Sequence, residues 1–100
     1  MSSRPVIAPD SRVAVSSNAI WSTVPGGAVV LDPVSGHYFG LEGVAARAWE
    51  FMAESTTLDA LVDGITREFE VDPATCEQDL RSLLEDFVGR GWAVCEDATA

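Results

Sequence analysis

The first half of the chain alternates between hydrophobic and polar positions, with the period of two that is typical of β-strands. Residues 11–16 predict a first, half-buried strand. Residues 28–32 are rich in β-branched side chains and predict a second strand, and residues 37–41 predict a third. Because only a short segment with a proline and a glycine joins the last two strands, we expect them to form an antiparallel hairpin. Residues 17–26 contain a Pro-Gly-Gly turn signal and are interpreted as the connection between the first two strands.

After Leu41 the hydrophobic spacing changes to the 3.6-residue period of amphipathic helices, and three helical segments follow. Thr56 is predicted to begin the second helix, because a threonine followed three residues later by an acid can satisfy free amides of the first turn. Asp72 and Pro73 predict the start of the third helix, and the glycines beyond it predict its end. The apolar stripes are Val44, Ala45, Ala48, Trp49 and Met52 in the first helix, Leu58, Leu61, Val62, Ile65 and Phe69 in the second, and Cys76, Leu80, Leu83, Leu84, Phe87 and Val88 in the third.

The order of three strands followed by three helices predicts an α+β fold, in which the helices pack on one face of a small antiparallel sheet. Residues 92–95 predict one short final strand. We expect a single domain over residues 11–96, a loose arm over residues 1–10 and a frayed tail over residues 97–100.

Composition and charge narrow the functions that such a fold can serve. The 100 residues include 16 acidic and 6 basic side chains, which gives a net charge of −10. This surface repels phosphate backbones and anionic lipid headgroups, so we expect neither nucleic acid nor a membrane as a partner. Because no apolar run is long enough to span a bilayer and no signal peptide is evident, we expect a cytoplasmic protein in which Cys76 and Cys95 are free thiols.

Candidate catalytic chemistry is sparse. His37 is the single histidine, and it lies in a predicted strand, where an exposed or packing role is more common than catalysis. A Cys–His dyad would need Cys76 or Cys95 beside it, and nothing in the spacing requires that arrangement. One histidine and two distant cysteines cannot close a zinc site. We therefore expect a protein that is not an enzyme and that uses no metal or cofactor.

The third predicted strand offers a binding surface. A three-stranded sheet has two edges, and an open edge carries unpaired N–H and C=O groups that can accept an extended peptide as an added strand. Residues 36–41 contain no proline or lysine that would block such pairing. The alternative is that this strand only closes the core, and the sequence alone leaves both interpretations open.

Two blocks of residues in a fixed order carry a family resemblance. The residues are Val30, Leu31, Asp32, Gly36, Tyr38, Leu41, Ala45 and Trp49 in the first block, and Thr57, Leu61, Ile65, Phe69, Val71, Asp72, Asp79, Leu83, Leu84, Gly91 and Trp92 in the second. Together they resemble the PqqD-like family, the domains that recognise ribosomally made precursor peptides (RiPP recognition elements). The resemblance extends over residues 11–96, and Glu42 departs from it, because the family often has asparagine at that position.

The resemblance implies a winged-helix-like domain without catalytic activity that binds the N-terminal leader of a precursor peptide. The leader would add as a strand beside the third strand and lie against the third helix. A free-standing copy of this size is similar to the leader-binding proteins of lasso-peptide pathways, which present the precursor to a separate leader peptidase, a cysteine protease, and then to a cyclase. The residues implied in peptide binding are Tyr38, Phe39, Gly40, Leu41, Asp79, Leu83, Asp86, Phe87 and Arg90.

Three other functions stay open from the sequence. A PqqD-type peptide chaperone would deliver the precursor to a radical SAM enzyme. A winged-helix transcription regulator is disfavoured, because the third helix carries more acidic than basic residues. An enzyme that pairs His37 with a cysteine would lose its activity when the histidine is replaced. Because Tyr38 and Phe39 point to opposite faces of a strand, we expect one of them to belong to the core and not to the peptide contact.

Overall fold

A computed structural model describes residues 7–96 of the chain. This part contains three helices and six short strands, so the α+β fold class, with a three-stranded antiparallel sheet and three helices, is confirmed. In chain order the elements are β1 (Arg12–Val15), β2 (Ile20–Val24), β3 (Gly27–Leu31), β4 (Tyr38–Glu42), α1 (Gly43–Met52), β5 (Thr56–Thr57), α2 (Leu58–Glu68), α3 (Pro73–Gly89) and β6 (Ala93–Glu96).

The identity of the strands in the main sheet differs from the prediction. β1 does not join β3 and β4, but pairs with β5 and β6 in a separate antiparallel sheet of order β5-β1-β6. Its expected place is taken by β2, a segment interpreted from the sequence as a connection, which gives the order β2-β3-β4. The pattern of β2 hides it, because only Trp21 turns toward the core while its four neighbours in the strand are exposed.

A tight turn joins β2 to β3 and depends on two glycines. Pro25 and Gly26 form the two-residue loop, and Gly26 has φ +84°, which suits a proline–glycine turn of type II. Gly27 lies so close to β4 that a Cβ atom there would collide with the backbone oxygen of Leu41. The hairpin of β3 and β4, predicted from the sequence, is confirmed, with Val30 opposite Phe39 in its centre.

Asp32 holds the connection between β3 and β4 and ties it to the end of the chain. Its carboxylate accepts hydrogen bonds from the hydroxyl of Ser35 at 2.8 Å and from the backbone amides of Val34 and Ser35. It also accepts one from the indole N–H of Trp92 at 3.3 Å, a residue 60 positions away. The Ser35 hydroxyl, with the Trp92 indole and the two amides, lowers the pKa of Asp32 despite an opposing effect of burial.

The helices begin at the predicted local signals, except that the cap of α2 lies one residue later than predicted. α3 begins as predicted, with Asp72 accepting a hydrogen bond from the amide of Thr75 at 3.1 Å and Pro73 in the first turn. The cap of α2 is Thr57 and not the predicted Thr56, because the Thr57 hydroxyl accepts from the amide of Ala60 at 3.1 Å while Thr56 pairs in β5. α1 follows β4 directly, and Glu42 at its start makes no side-chain cap, as expected of a residue that caps poorly.

The core is centred on the fully buried Trp49 of α1. Its ring makes edge-to-face contacts with Trp21 of β2 at 5.9 Å, Phe87 of α3 at 5.2 Å and Trp92 at 6.4 Å between ring centroids. These contacts join the main sheet, two helices and the segment before β6 into one hydrophobic cluster. α1 therefore packs directly on β3 and β4, and α3 is placed relative to this sheet through the contact of Phe87 with Trp49.

The boundaries of the predicted arm need correction where the structure describes them. Ile7 is only 2 % exposed and belongs to the core, and the backbone oxygen of Pro9 accepts a hydrogen bond from the amide of Asp59 at 3.0 Å. Residues 7–10 are therefore packed and not loose. Residues 1–6 of that arm, and the predicted tail at 97–100, lie outside the described residues. None of the helices described within residues 7–96 has the length and apolar character required to cross a membrane.

The lowered pKa of Asp32 predicts an acid-sensitive hairpin. A carboxyl whose folded pKa is depressed stabilises the fold above its unfolded pKa and loses that contribution as the pH falls through the folded pKa. We expect the urea midpoint of the wild type to fall more steeply below about pH 4 than that of Asp32→Asn, since the amide does not titrate there. Urea unfolding at pH 6 and pH 3 checks this, and equal slopes in both proteins would contradict it.

Candidate functional site

β4 has an open edge in the structure. Among residues 7–96 it pairs with β3 alone. The amide of Asp32 donates to the backbone oxygen of His37 at 2.9 Å, so this opposed pair is hydrogen-bonded across the hairpin. Since hydrogen-bonded and non-bonded pairs alternate along an antiparallel ladder, the backbone N–H and C=O groups of Tyr38 and Gly40 and the N–H of Glu42 point away from β3. These are the groups that an added strand would bind.

Side chains along β4 alternate between solvent and core. Tyr38 is 70 % exposed, whereas Phe39 and Leu41 are half-buried and pack against the hydrophobic cluster. Nothing lies within 4 Å of the position that a Cβ of Gly40 would occupy, so this side of the strand is open. The expectation that only one of Tyr38 and Phe39 joins the core is therefore met, and the core residue is Phe39.

An apolar cavity of about 240 Å³ lies where the chain leaves β4 and enters α1. One side of it is formed by the first turn of α1, and the other by the N-terminal half of α3. Asp79 contributes the single charged side chain of its lining and has no hydrogen bond or ion pair within the described residues. The lining residues are Val44, Ala45, Ile65, Val71, Cys76, Asp79, Leu80 and Leu83.

At the other end of β4, Arg90 bridges the strand and α3. Its Nε donates to the carboxylate of Asp86 at 3.0 Å. Its guanidinium carbon lies 5.2 Å from the centre of the Phe39 ring and 5.1 Å from that of Trp92. The surface between the open edge of β4 and α3, which we call the β4–α3 surface, thus has the cavity at one end and this cation–aromatic cluster at the other.

The structure sorts the residues implied in peptide binding into three groups. Phe87 is 1 % exposed and packs on Trp49 and Trp92, so it forms the floor of the β4–α3 surface and offers no open face. Asp86 is engaged by Arg90, which leaves Asp79 as the carboxylate without a partner in the described chain. The remaining six, which border the open edge, the cavity or the cation–aromatic cluster, are Tyr38, Phe39, Gly40, Leu41, Leu83 and Arg90.

Sequence analysis missed part of the cavity wall. Val44 and Ala45 were assigned to a core stripe, yet they are half-buried and line the cavity together with Val71. Their helical spacing is the same as that of fully buried residues, so no signal in the sequence separates the two cases. Trp92 was likewise predicted as part of a strand, and only the structure places it under Arg90.

His37 and Cys76, two groups with catalytic potential, differ in their surroundings. His37 is exposed in the connection between β3 and β4, whereas Cys76 is buried on α3. Burial, with a further contribution from the Asp79 carboxylate, raises the pKa of the Cys76 thiol, which makes it a poorer nucleophile. No cluster of three or more metal-ligating side chains occurs in the part of the chain that the structure describes.

The fold and the open-edged sheet place the chain in the class of small winged-helix-like α+β domains. The chain belongs to the PqqD family: the model of that family, described as Coenzyme PQQ synthesis protein D (PqqD), matches residues 27–93. The matched region begins at β3 and ends at the start of β6, so it contains β4, the cavity and the cation–aromatic cluster. No curated protein sequence gives a significant match.

Three solved structures share this fold. TbiB1 in complex with the TbiA(beta) leader peptide is 30% identical, with a TM-score of 0.73, over 80% of this chain and 93% of that one. A lasso peptide synthetase B1 complexed with its leader peptide is 23% identical, with a TM-score of 0.71, over 82% and 96%. The PqqD part of Methylobacterium extorquens PqqCD, a stand-alone RiPP recognition element, is 14% identical, with a TM-score of 0.71, over 89% and 95%.

Proposed function

We propose that the chain is a leader-peptide-binding adaptor that captures a ribosomally made precursor peptide by strand addition to β4. The observation that carries this proposal is the open edge of β4 near an apolar cavity: within residues 7–96 no strand pairs with the outward backbone groups of Tyr38 and Gly40 or with the N–H of Glu42. The similarity to TbiB1, whose structure contains a leader peptide, supports it.

The energetics of strand addition explain why the cavity matters. Each backbone hydrogen bond contributes about 0.5–1.5 kcal/mol net, whereas association costs about 4–15 kcal/mol. A few bonds to the β4 edge cannot overcome that cost, so alternate leader side chains have to bury apolar surface on the β4–α3 surface. Leu83 lies on the cavity wall, and an apolar leader side chain that enters the cavity would supply this burial.

The adaptor would act without chemistry of its own, in the cytoplasm, where ribosomally made precursors arise. It would present the bound precursor to a separate leader peptidase of the cysteine protease class, and then to a cyclase, in lasso-peptide biosynthesis. The two leader complexes among the similar structures support this assignment over other pathways. A second candidate is delivery of a precursor to a radical SAM enzyme, which the match to Coenzyme PQQ synthesis protein D supports.

A DNA-binding function is disfavoured by the charges of α3. The helix carries the acids Glu77, Asp79, Glu85 and Asp86 against one arginine, Arg81, and Arg90 follows at its C-terminal cap, so its net charge repels a phosphate backbone. A recognition helix needs free basic groups to contact phosphates and bases.

The proposal is tested with a fluorescein-labelled synthetic leader from the precursor encoded beside the gene of this chain. We expect saturable binding by fluorescence polarisation, and faster leader removal when the chain is added to the neighbouring peptidase and full precursor. Absence of binding to that leader would overturn the adaptor function. Binding without stimulation of a peptidase, but with stimulation of a neighbouring radical SAM enzyme, would favour the second candidate.

Leu83→Glu is expected to weaken leader binding at least ten-fold, because burying an unpaired carboxylate beside an apolar leader side chain costs several kcal/mol. Fluorescence polarisation with the same leader measures the loss. Gln78→Glu is the matched control, since Gln78 is exposed and lies about 140° around the helix from Leu83. Equal affinities of the two variants would show that the cavity wall takes no part, provided that thermal unfolding shows both to be folded.

A further inference from the structure

Arg90 is held in an unusual position for a surface arginine. Its guanidinium lies over two aromatic rings, Phe39 from β4 and Trp92 from the segment before β6. The Trp92 ring is itself fixed by its N–H bond to Asp32. The arginine is therefore pre-oriented by groups from three parts of the chain, and the entropy that a flexible side chain loses on binding a ligand is largely lost already in folding.

The donors of this guanidinium are only partly used. The Nε atom donates to Asp86, while neither of the two terminal nitrogens makes a hydrogen bond within residues 7–96. Arg90 and Asp86 are still 43% and 55% exposed, so the pair is accessible to a ligand. The edge formed by the two terminal nitrogens is a planar pair of N–H donors, which matches a carboxylate better than any other common side-chain group.

The opposite end of the β4–α3 surface carries a negatively charged side chain, Asp79. Asp79, on the rim of the cavity, precedes Arg90 by eleven residues, which corresponds to about 16 Å along a helix. An extended peptide covers that distance in about five residues. The α3 side of the surface thus presents a free carboxylate beside an apolar cavity and, about five residues away, a free guanidinium edge.

We propose that Arg90 is a specificity-determining residue that binds an aspartate or glutamate of the leader, about three to five residues from the leader side chain that fills the cavity. The range follows because Leu83 and Asp79, which both line the cavity, precede Arg90 by seven and eleven residues. The inference rests on the proposed leader binding and adds a chemical requirement to it. A chain with a net charge of −10 repels an acidic peptide at long range. The fixed position of one local cation would therefore select the register of the bound leader more than it raises the affinity.

The test uses the labelled leader together with variants in which each aspartate or glutamate is replaced singly by asparagine or glutamine. On the wild-type chain, we expect one replacement to weaken binding about ten-fold, as expected for loss of a charge-assisted hydrogen bond. On Arg90→Gln that same replacement should have no further effect. Arg90→Lys should recover little, because lysine lacks the planar fork.

Two further variants separate recognition from a structural role. Asp86→Asn removes the competing carboxylate, so we expect tighter binding of the acidic leader, a gain that loss of packing cannot produce. Arg67→Gln is the matched control and should leave binding unchanged. Arg67 pairs with Asp63, four residues earlier on α2, just as Arg90 pairs with Asp86, four residues earlier on α3.

The outcomes distinguish this inference from the proposed function itself. If the wild-type chain binds no leader, the adaptor function fails and the inference with it. If the leader binds but every acid-to-amide replacement is silent, or Arg90→Gln weakens all peptides by one common factor, the inference alone is overturned, and Arg90 serves only to hold Phe39 and Trp92 in place.

Discussion

Gly40→Pro is expected to abolish detectable leader binding while the β2-β3-β4 sheet stays intact. The N–H of Gly40 points away from β3, so proline removes a donor from the open edge without breaking a bond of the hairpin. The proline ring would also occupy the space in which an added strand has to lie. We expect a loss of at least a hundred-fold in affinity, since a lost bond and a steric block act together. Titration of the labelled leader measures it.

The chain offers a matched control for this substitution on its other open edge. By the same alternation the N–H of Thr23 in β2 points away from β3, and the residue is exposed. Thr23→Pro should change the melting temperature by about as much as Gly40→Pro does, and it should leave leader affinity unchanged. If both variants lost binding equally, or if Gly40→Pro bound as the wild type does, strand addition to β4 would be refuted.

Phe87→Ala is expected to destabilise the fold by about 3–5 kcal/mol, the usual cost of removing a fully buried aromatic ring. The centroid of the Phe87 ring lies 5.2 Å from that of Trp49 and 5.9 Å from that of Trp92. Loss of the Phe87 ring therefore leaves a cavity under the β4–α3 surface. For a domain whose total stability is of the order of 5–10 kcal/mol, such a loss removes about half of the free energy of unfolding. Urea unfolding followed by tryptophan fluorescence measures the change.

Leu83→Ala is the comparison for this second substitution. Leu83 is half-buried on the same helix, so Leu83→Ala should lower the free energy of unfolding clearly less than Phe87→Ala does. Because Leu83 also lines the cavity, Leu83→Ala should weaken leader binding. A Phe87→Ala protein as stable as Leu83→Ala would contradict the placement of Phe87 in the core. If Phe87→Ala stayed folded and selectively lost binding, the ring would contact the leader directly.

Elements with strong local signals could be predicted from the sequence. The hairpin of β3 and β4 follows from the β-branched run at residues 28–32 and from the Pro/Gly segment that joins it to the next predicted strand, and the start of α3 follows from Asp72 and Pro73. These signals act through the nearest few residues. The side chain of a cap accepts a hydrogen bond from the backbone N–H three positions further on, and a proline restricts its own backbone angles. The α+β class followed from the order of these elements, whereas the sequence left open whether the third predicted strand has an unpaired edge, and the structure decided it.

Features that depend on distant partners could not be predicted in the same way. β2 has little alternation, and its strand state comes from pairing with β3 and from Trp21 meeting Trp49. β1 has a clear alternating pattern, but a pattern does not name a partner, and β1 pairs with β6, which lies some 80 residues further along the chain. Periodicity likewise does not separate a cavity wall such as Ala45 from a buried core position.

The sequence by itself determined the helices, the central hairpin, the acidic character of the surface and the family to which the chain belongs, because each depends on residue types at short, regular spacing. Only the tertiary structure decided that Phe39 faces the core, that Phe87 is covered, and that Arg90 is stacked on Phe39 and Trp92 with its two terminal nitrogens unbonded within residues 7–96. The physical reason is that such contacts join groups up to 60 residues apart, and their geometry is set by the packing of the whole core around Trp49.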